Sequence, residues 1–342
     1  MQKRIRFLLW LTSYFLVSCG ATSPNRLQQL PNALPPASYP KTVWLPTMEQ
    51  TIQPNQNAVY AGFPLAWPQL RKELGLDLRA DTQSRAWQQV AKAGNHLSPL
   101  SARQSRLHIA TGQEADGTLS LHTVLDAQIS FEPHFEYLPW DIKFDEVRVP
   151  AFGMTDNSFD NVHLNIEIHR YRDDEHFIIG LLPTDRNLQV LLYRTDKTYP
   201  TLAAMYADLQ NEIQHGRADM TVADRQWKYS WTPYDRVAIP RISLHVTGEY
   251  PQLAGGILHT DKQQISVNKV QQNVAFLLNE TGSRIVSETD TDMDMYGVPG
   301  DLPEPKHFVC DKPFYVIVRQ RGDDAAPYLA LWISNTELLD ME

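Results

Sequence analysis

Downstream of Arg106 the apolar residues fall into one short run after another with a period of two, and this limits the fold more than any other feature of the chain. Residues 107–109 and 121–131 read as strands separated by the turn Asp116-Gly117, and 147–152, 162–168 and 177–182 continue the pattern. Further on, 236–246, 264–278, 314–319 and 328–334 are rich in β-branched and aromatic residues, the types that suit a pleated surface. Helical spacing is confined to a few stretches. Leu65, Leu70, Leu74 and Leu78 follow the extended piece Ala58-Val59-Tyr60, residues 85–93 form a second candidate, and Leu202, Met205, Tyr206, Leu209 and Ile213 make one apolar face over 199–214. A short helical front and a long strand-dominated back predict an α+β fold with large mixed or antiparallel sheets. With no linker or internal repeat, 41–342 is expected to be one domain.

The segment before this domain reads as an address. Lys3, Arg4 and Arg6 precede an apolar run, 7–17, that is too short to span a bilayer and ends in Leu16-Val17-Ser18-Cys19-Gly20. The tetrad ending at Cys19 resembles a bacterial lipobox; an ordinary signal peptide with a chance cysteine is the alternative. The resemblance implies removal of 1–18, acylation of the Cys19 thiol, and, with Gly20 next, lipid anchorage at the outer membrane, on its periplasmic face or at the cell surface. Residues 19–40, rich in Pro, Ser, Asn and Gln, then read as a lipidated cysteine and flexible tether. Lipidation leaves Cys310 without a partner, so stability must come from packing rather than from a disulfide framework. The net charge of −9, with no basic stripe, argues against nucleic acid as a partner.

The last third carries a more specific pattern. Phe308-Val309-Cys310-Asp311-Lys312-Pro313-Phe314 followed by Tyr315-Val316-Ile317-Val318-Arg319, and upstream Asn268-Lys269-Val270 running through Ala275-Phe276-Leu277-Leu278-Asn279-Glu280-Thr281-Gly282-Ser283, resemble the serpin family. Gly256-Ile257, Ile265-Ser266 and Val237-Ala238-Ile239-Pro240-Arg241-Ile242-Ser243-Leu244 match further stations in order. Weaker echoes extend forward through Leu181-Leu182-Pro183-Thr184-Asp185, Val149-Pro150 and Val124-Leu125-Asp126-Ala127 to 57–70. The resemblance implies a serpin-like domain with a reduced set of helices and a reactive-centre loop over about 280–307. One departure is large: the chain passes from 107–109 to Leu121 through a single turn, where serpins usually interpose helices and an edge strand.

From the resemblance follow the candidate site residues. Glu280, Gly282, Ser283 and Thr289 fit the loop hinge, and Arg241 and Glu280 fall where the family places a basic and acidic pair near the insertion point; two unrelated surface charges is the other reading. If side chains alternate from Ser283, then Ser283, Ile285, Ser287 and Thr289 face one way, while Arg284, Val286 and Glu288 face the other. Branched Ile285 and Val286 stand where inhibitory members carry alanines, which would slow entry into a crowded sheet. Gln272 occupies the place of a histidine that helps lock the sheet's opening point, and Asp126 that of an asparagine. The scissile bond is expected near Met293, Met295, Tyr296 or Gly297, which favours a serine protease of chymotrypsin- or elastase-like preference. No Lys or Arg lies between Arg284 and Lys306, which disfavours a trypsin-like one.

Other chemistries are poorly served. Asp290, Asp292 and Asp294 alternate as in a calcium loop, but Met295 stands where an EF-hand needs glycine. His163, Glu167, His169 and His176 lack the HExxH spacing of a zinc protease, and neither a G-x-S-x-G elbow, a phosphate loop nor a C-x-x-C motif is present. The chain is therefore expected to be no enzyme, to need no cofactor or metal, and to act as a monomer whose partners are a protease and the bilayer. The competing reading is a non-inhibitory surface scaffold, a binding protein or decoy substrate on the same framework.

Overall fold

The strands are sorted by how many of their faces are buried. The computed structural model describes residues 32–95, 107–113, 119–281, 304–322 and 325–341. In chain order the described elements are β1 (Thr42–Leu45), β2 (Asn57–Tyr60), α1 (Ala66–Leu74), β3 (Arg79–Ala80), α2 (Arg85–Gly94), β4 (Leu107–Gln113), β5 (Leu119–Gln128), β6 (Glu136–Phe144), β7 (Val147–Met154), α3 (Phe159–Val162), β8 (Ile166–Asp173), β9 (His176–Leu181), β10 (Leu188–Arg194), α4 (Leu202–Met220), β11 (Arg236–Pro240), β12 (Ile242–Glu249), β13 (Gly256–His259), β14 (Gln264–Leu278), β15 (His307–Val309), β16 (Phe314–Gln320) and β17 (Pro327–Ile333). They form a seven-stranded sheet in the order β1-β2-β17-β16-β10-β9-β8, a four-stranded sheet β15-β11-β7-β6, and a six-stranded sheet β3-β13-β14-β5-β4 in which β12 also pairs with β14. The α+β class expected from the sequence holds.

The seven-stranded sheet is covered on both faces. Val190 and Leu192 of β10, with Val316 and Val318 of β16, point into the main core, where they meet Phe152, Val237 and Phe308 of the four-stranded sheet and Leu244, Val274 and Phe276 of the six-stranded one. Their neighbours Leu191, Tyr193, Tyr315 and Ile317 face Leu202, Met205, Leu209 and Ile213 of α4. A strand buried on both sides reads as a continuous apolar run rather than an alternating one, which is why β10 is not marked by a period of two. A third cluster seats Trp67 and Leu70 of α1 and Trp87 and Val90 of α2 against Leu258, Ile265, Val267 and Val270, covering the first half of β14.

Several expected boundaries move. Leu78 lies beyond α1, which stops before Gly75, a residue at φ +138° that an L side chain would strain to adopt. Residues 162–165 are helical, and the strand begins only at Ile166. The single strand expected over 236–246 is two: β11 joins the four-stranded sheet and β12 the six-stranded one, with the break at Arg241. β4 and β5 pair antiparallel, from Leu107 opposite Leu125 to Gln113 opposite Leu119. The tether expected to reach residue 40 is docked from Leu34 onward. Leu34 bridges β12 at Val246, with its N–H donating to the His245 carbonyl at 2.9 Å and its carbonyl accepting from Thr247 N–H at 3.0 Å, while Leu339 bridges β12 at Ile242.

Helix α4 starts at Thr201, whose hydroxyl accepts the Ala204 N–H at 3.1 Å, a cap that satisfies one orphan donor. It then approaches β8 so closely that a Cβ at Gly216 would stand 1.8 Å from the His169 carbonyl oxygen. Gly216→Ala should therefore force helix and sheet apart and lower stability by about 1–3 kcal/mol, read from the urea midpoint. An unchanged midpoint would mean that the close approach relaxes without cost.

Candidate functional site

The site is built around one strand pairing. β14 and β5 lie side by side and parallel in the middle of the six-stranded sheet, in register from Lys269 opposite Ser120 to Leu277 opposite Gln128. The far side of β14 is taken by two antiparallel partners placed end to end, β12 from Ile242–Leu278 to Glu249–Gln271 and β13 from Gly256–Val267 to His259–Gln264. Asp126 pairs with Ala275 within the parallel ladder. β14 then runs through Asn279 and Glu280 to Thr281, and the described chain resumes at Glu304.

At the C-terminal end of this parallel pair sits a cluster of partly buried charge. Arg241, in the break between β11 and β12, has its Nε 3.4 Å from Glu280 Oε2 and an Nη1 3.5 Å from Asp340 Oδ2, and its guanidinium lies 5.9 Å from the centre of the Tyr137 ring. The backbone completes the cluster: Phe135 N–H donates to the Glu280 carbonyl at 3.0 Å, Arg241 N–H to Pro150, and Asp340 N–H to the Arg241 carbonyl at 2.8 Å. The structure thus brings Arg241 and Glu280 together, at the point where β14 leaves the sheet.

Further down β14, Gln272 is buried and fully engaged. Its Nε2 donates to the Ala61 carbonyl at 2.8 Å and its Oε1 accepts from the Tyr250 hydroxyl at 2.6 Å. Burial pushes the Tyr250 phenol far above its ordinary range, so it remains a donor. An amide suits this place because it donates and accepts at once, which is what its two buried partners require.

On the other side of the loop the chain is anchored by a second buried charge, one the sequence does not reveal. Lys306 Nζ lies 2.8 Å from Asp235 Oδ2 with both side chains 0% exposed, and it also donates to the Ser230 carbonyl at 2.9 Å. Deleting one partner of so buried a pair typically costs about 3–5 kcal/mol, since the other charge is left uncompensated. No local signal could have found it, because Asp235 is 71 residues away along the chain. β15 follows, parallel to β11, with His307 N–H donating to Asp174 at 3.0 Å. Burial alone would raise the Asp174 carboxyl, but hydrogen bonds from Tyr171 and His307 outweigh it and hold the pKa below the usual value. Arg194, reaching across from β10, binds the Val309 carbonyl, Glu175 at 2.5 Å and Asp311 at 2.9 Å. Beside it, burial pushes the Cys310 thiol up to about 12.

The remaining candidates fall elsewhere. Gly282, Ser283, Thr289, Met293, Met295, Tyr296, Gly297 and Cys19 lie outside the described residues. His163 stacks on Phe159, Glu167 and His169 both approach Gln189, and His176 sits between Asp173 and Asp196. Among the described residues no group of three or more His, Cys, Asp or Glu side chains could hold a metal ion, and no helix is long and apolar enough to cross a membrane.

No protein-family model matches the sequence, and no curated protein does. Solved structures overlap with it at low identity. Thyroxine-binding globulin in complex with thyroxine superposes with a TM-score of 0.41 and 10% identity over 66% of this chain. A serpin from Schistosoma mansoni gives 0.36 and 14% over 74%, and a serpin from the trematode Schistosoma haematobium 0.44 and 12% over 82% of this chain and 94% of its own. The chain spans 58% of the thyroxine-binding globulin structure and 62% of the Schistosoma mansoni serpin.

Gln272→Leu should destabilise the domain by about 1–3 kcal/mol for each of the two partners it leaves unbonded, measured by thermal melting, with Gln272→Glu no substitute because it cannot donate to Ala61 when ionised. Cys310 should resist alkylation in the folded chain at pH 8 and react once denaturant is added. Labelling at equal rates in both states would contradict the burial seen here.

Proposed function

We propose that the domain intercepts proteases by offering the loop between β14 and β15 as bait and then taking the cut loop into the sheet between β5 and β14. The observation that carries this reading is the parallel β5–β14 ladder. A chain that doubles back from the end of β14 runs antiparallel to β14 and therefore also to β5. Its entry replaces one parallel ladder by two antiparallel ones, which are more stable per residue and add hydrogen bonds over the full strand length. The sheet as it stands thus holds an unused place of lower free energy, and cleavage of the loop gives the chain freedom to reach it.

In chemical terms, the protease's serine oxygen attacks a carbonyl carbon of the loop. The peptide C–N bond breaks, the new amine leaves with a proton, and an ester joins loop and enzyme. Insertion before water reaches that ester traps the protease. Met293, Met295, Tyr296 and Gly297 mark the bond by sequence register, which favours an enzyme that cuts after large apolar or aromatic residues. Gly282 and Ser283 suit entry, and so does Thr289. Cys19, acylated, would tether the module to an outer membrane. The sequence of the signal region supports this anchorage and its cell-surface or periplasmic placement.

A second reading keeps the framework and drops the trap: Ile285 and Val286 are bulky for a segment that must enter a sheet quickly, and a slow loop is merely cut. Incubating the full chain with near-equal amounts of chymotrypsin or elastase separates the two. A covalent, denaturant-stable adduct, with cleavage near Met295 or Tyr296, is the expected result. Clean cleavage with no adduct and full residual protease activity would overturn inhibition of these enzymes and favour a binding scaffold or decoy.

A further inference from the structure

The bait loop contains no lysine or arginine between Arg284 and Lys306, so its distal end carries one basic residue at which a trypsin-like enzyme could cut. We propose that burial of Lys306 against Asp235 conceals that bond, making the pair a specificity determinant: it fixes the distal base of the loop and blinds that end to trypsin-like proteases. This rests on the reading of the loop as bait.

A serine protease needs its substrate extended, with the residue before the scissile bond inserted in a pocket and the flanking amides free to pair with the enzyme. The chain here is extended, leading straight into β15, but the other two conditions fail at Lys306. Its ammonium has no exposure and spends its donors on Asp235 at 2.8 Å, the Ser230 carbonyl at 2.9 Å and the Trp227 carbonyl at 3.4 Å, with the Trp227 ring 5.8 Å away. Its backbone N–H donates to Asp235 Oδ1 at 2.8 Å, and its carbonyl accepts the Arg236 N–H at 2.9 Å. The next residue is held too, since His307 N–H donates to Asp174 at 3.0 Å. Asp235 is in turn fixed by the Thr232 N–H at 2.9 Å. Every one of these bonds must break before the side chain can turn outward, so cleavage here must wait for local opening. Concealing a wrong site is a way to gain specificity without any new contact to the right enzyme.

The test treats the folded full chain, and separately the urea-unfolded chain, with trypsin and maps the products by intact mass and N-terminal sequencing. Cleavage at Lys306–His307 should be slower in the folded chain by about a hundredfold or more, as for a site that must open first. Asp235→Asn should raise the folded rate by about tenfold, with Asp235→Glu restoring protection, because only an ionised partner offsets the buried ammonium. Cutting of the folded wild type at the unfolded rate would overturn the proposal. So would an unchanged rate in Asp235→Asn while other basic sites remain protected. Should Asp235→Asn fail to fold, shown by cutting at every basic residue, the comparison of folded and unfolded wild type decides alone. A parallel chymotrypsin arm reads the bait hypothesis separately: loss of the covalent adduct there sinks interception and leaves the concealment of Lys306 standing.

Discussion

The parallel contact between β5 and β14 is the constraint on which the rest of the molecule hangs. Two strands that run the same way cannot be joined by a tight turn, so the chain must travel far between them, and it does: the whole of β6 to β13 intervenes in sequence. That excursion supplies β8, β9 and β10 of one sheet, β6, β7 and β11 of another, and α4, and it brings Arg241 to the end of β14, where Asp340 arrives from the far end of the chain. A parallel ladder at the centre of an otherwise antiparallel arrangement is also the weakest seam of its sheet. The surrounding architecture reads as a means of holding it shut, with the Arg241 cluster at one end and the Gln272 bonds along its length.

Buried charge marks where the chain leaves the sheet and where it returns. The main core is apolar and needs little beyond close packing. The polar side chains buried around the loop mark its two ends: Arg241 and Glu280 where the chain departs, and Lys306 and Asp235 where it returns. Ion pairs of this kind add little net stability over an apolar filling, but each has one geometry, so they fix position where an apolar contact would tolerate sliding. The two described ends flanking the loop are therefore held on different sheets, β14 on one side and β15 with β11 on the other.

How much of this was legible depended on range. α2, β14, β16 and β17 announce themselves because one face or one run of side chains decides them. β10 is buried on both faces as β16 and β17 are, but Gln189 interrupts its short apolar run and Arg194 ends it, so it does not stand out. The break at Arg241 follows Pro240, a residue that cannot donate to a ladder, but the runs on either side are both strand-like, and the choice of two different partner strands is what divides them. Arg241, Glu280 and Gln272 could be singled out through a family pattern, but not their distances. Lys306, between Pro305 and His307, looks like an ordinary loop lysine until tertiary structure sets it over Trp227.

The two ends of the domain fasten to the same strand. Leu34 bridges β12 at Val246 and Leu339 bridges it at Ile242, each through an isolated contact on the edge not taken by β14. An open eight-residue edge is a template on which foreign strands grow into fibrils, and natural sheets blunt such edges by covering them. Here the blunting is shared between Leu339, which belongs to the main core, and Leu34, which is exposed, so half of the molecule's resistance to aggregation is lodged in a weakly buried residue. Trimming the sequence back to Lys41, a natural choice for recombinant work, would strip half of that protection at little cost to the core beyond the Tyr39 ring that packs against it.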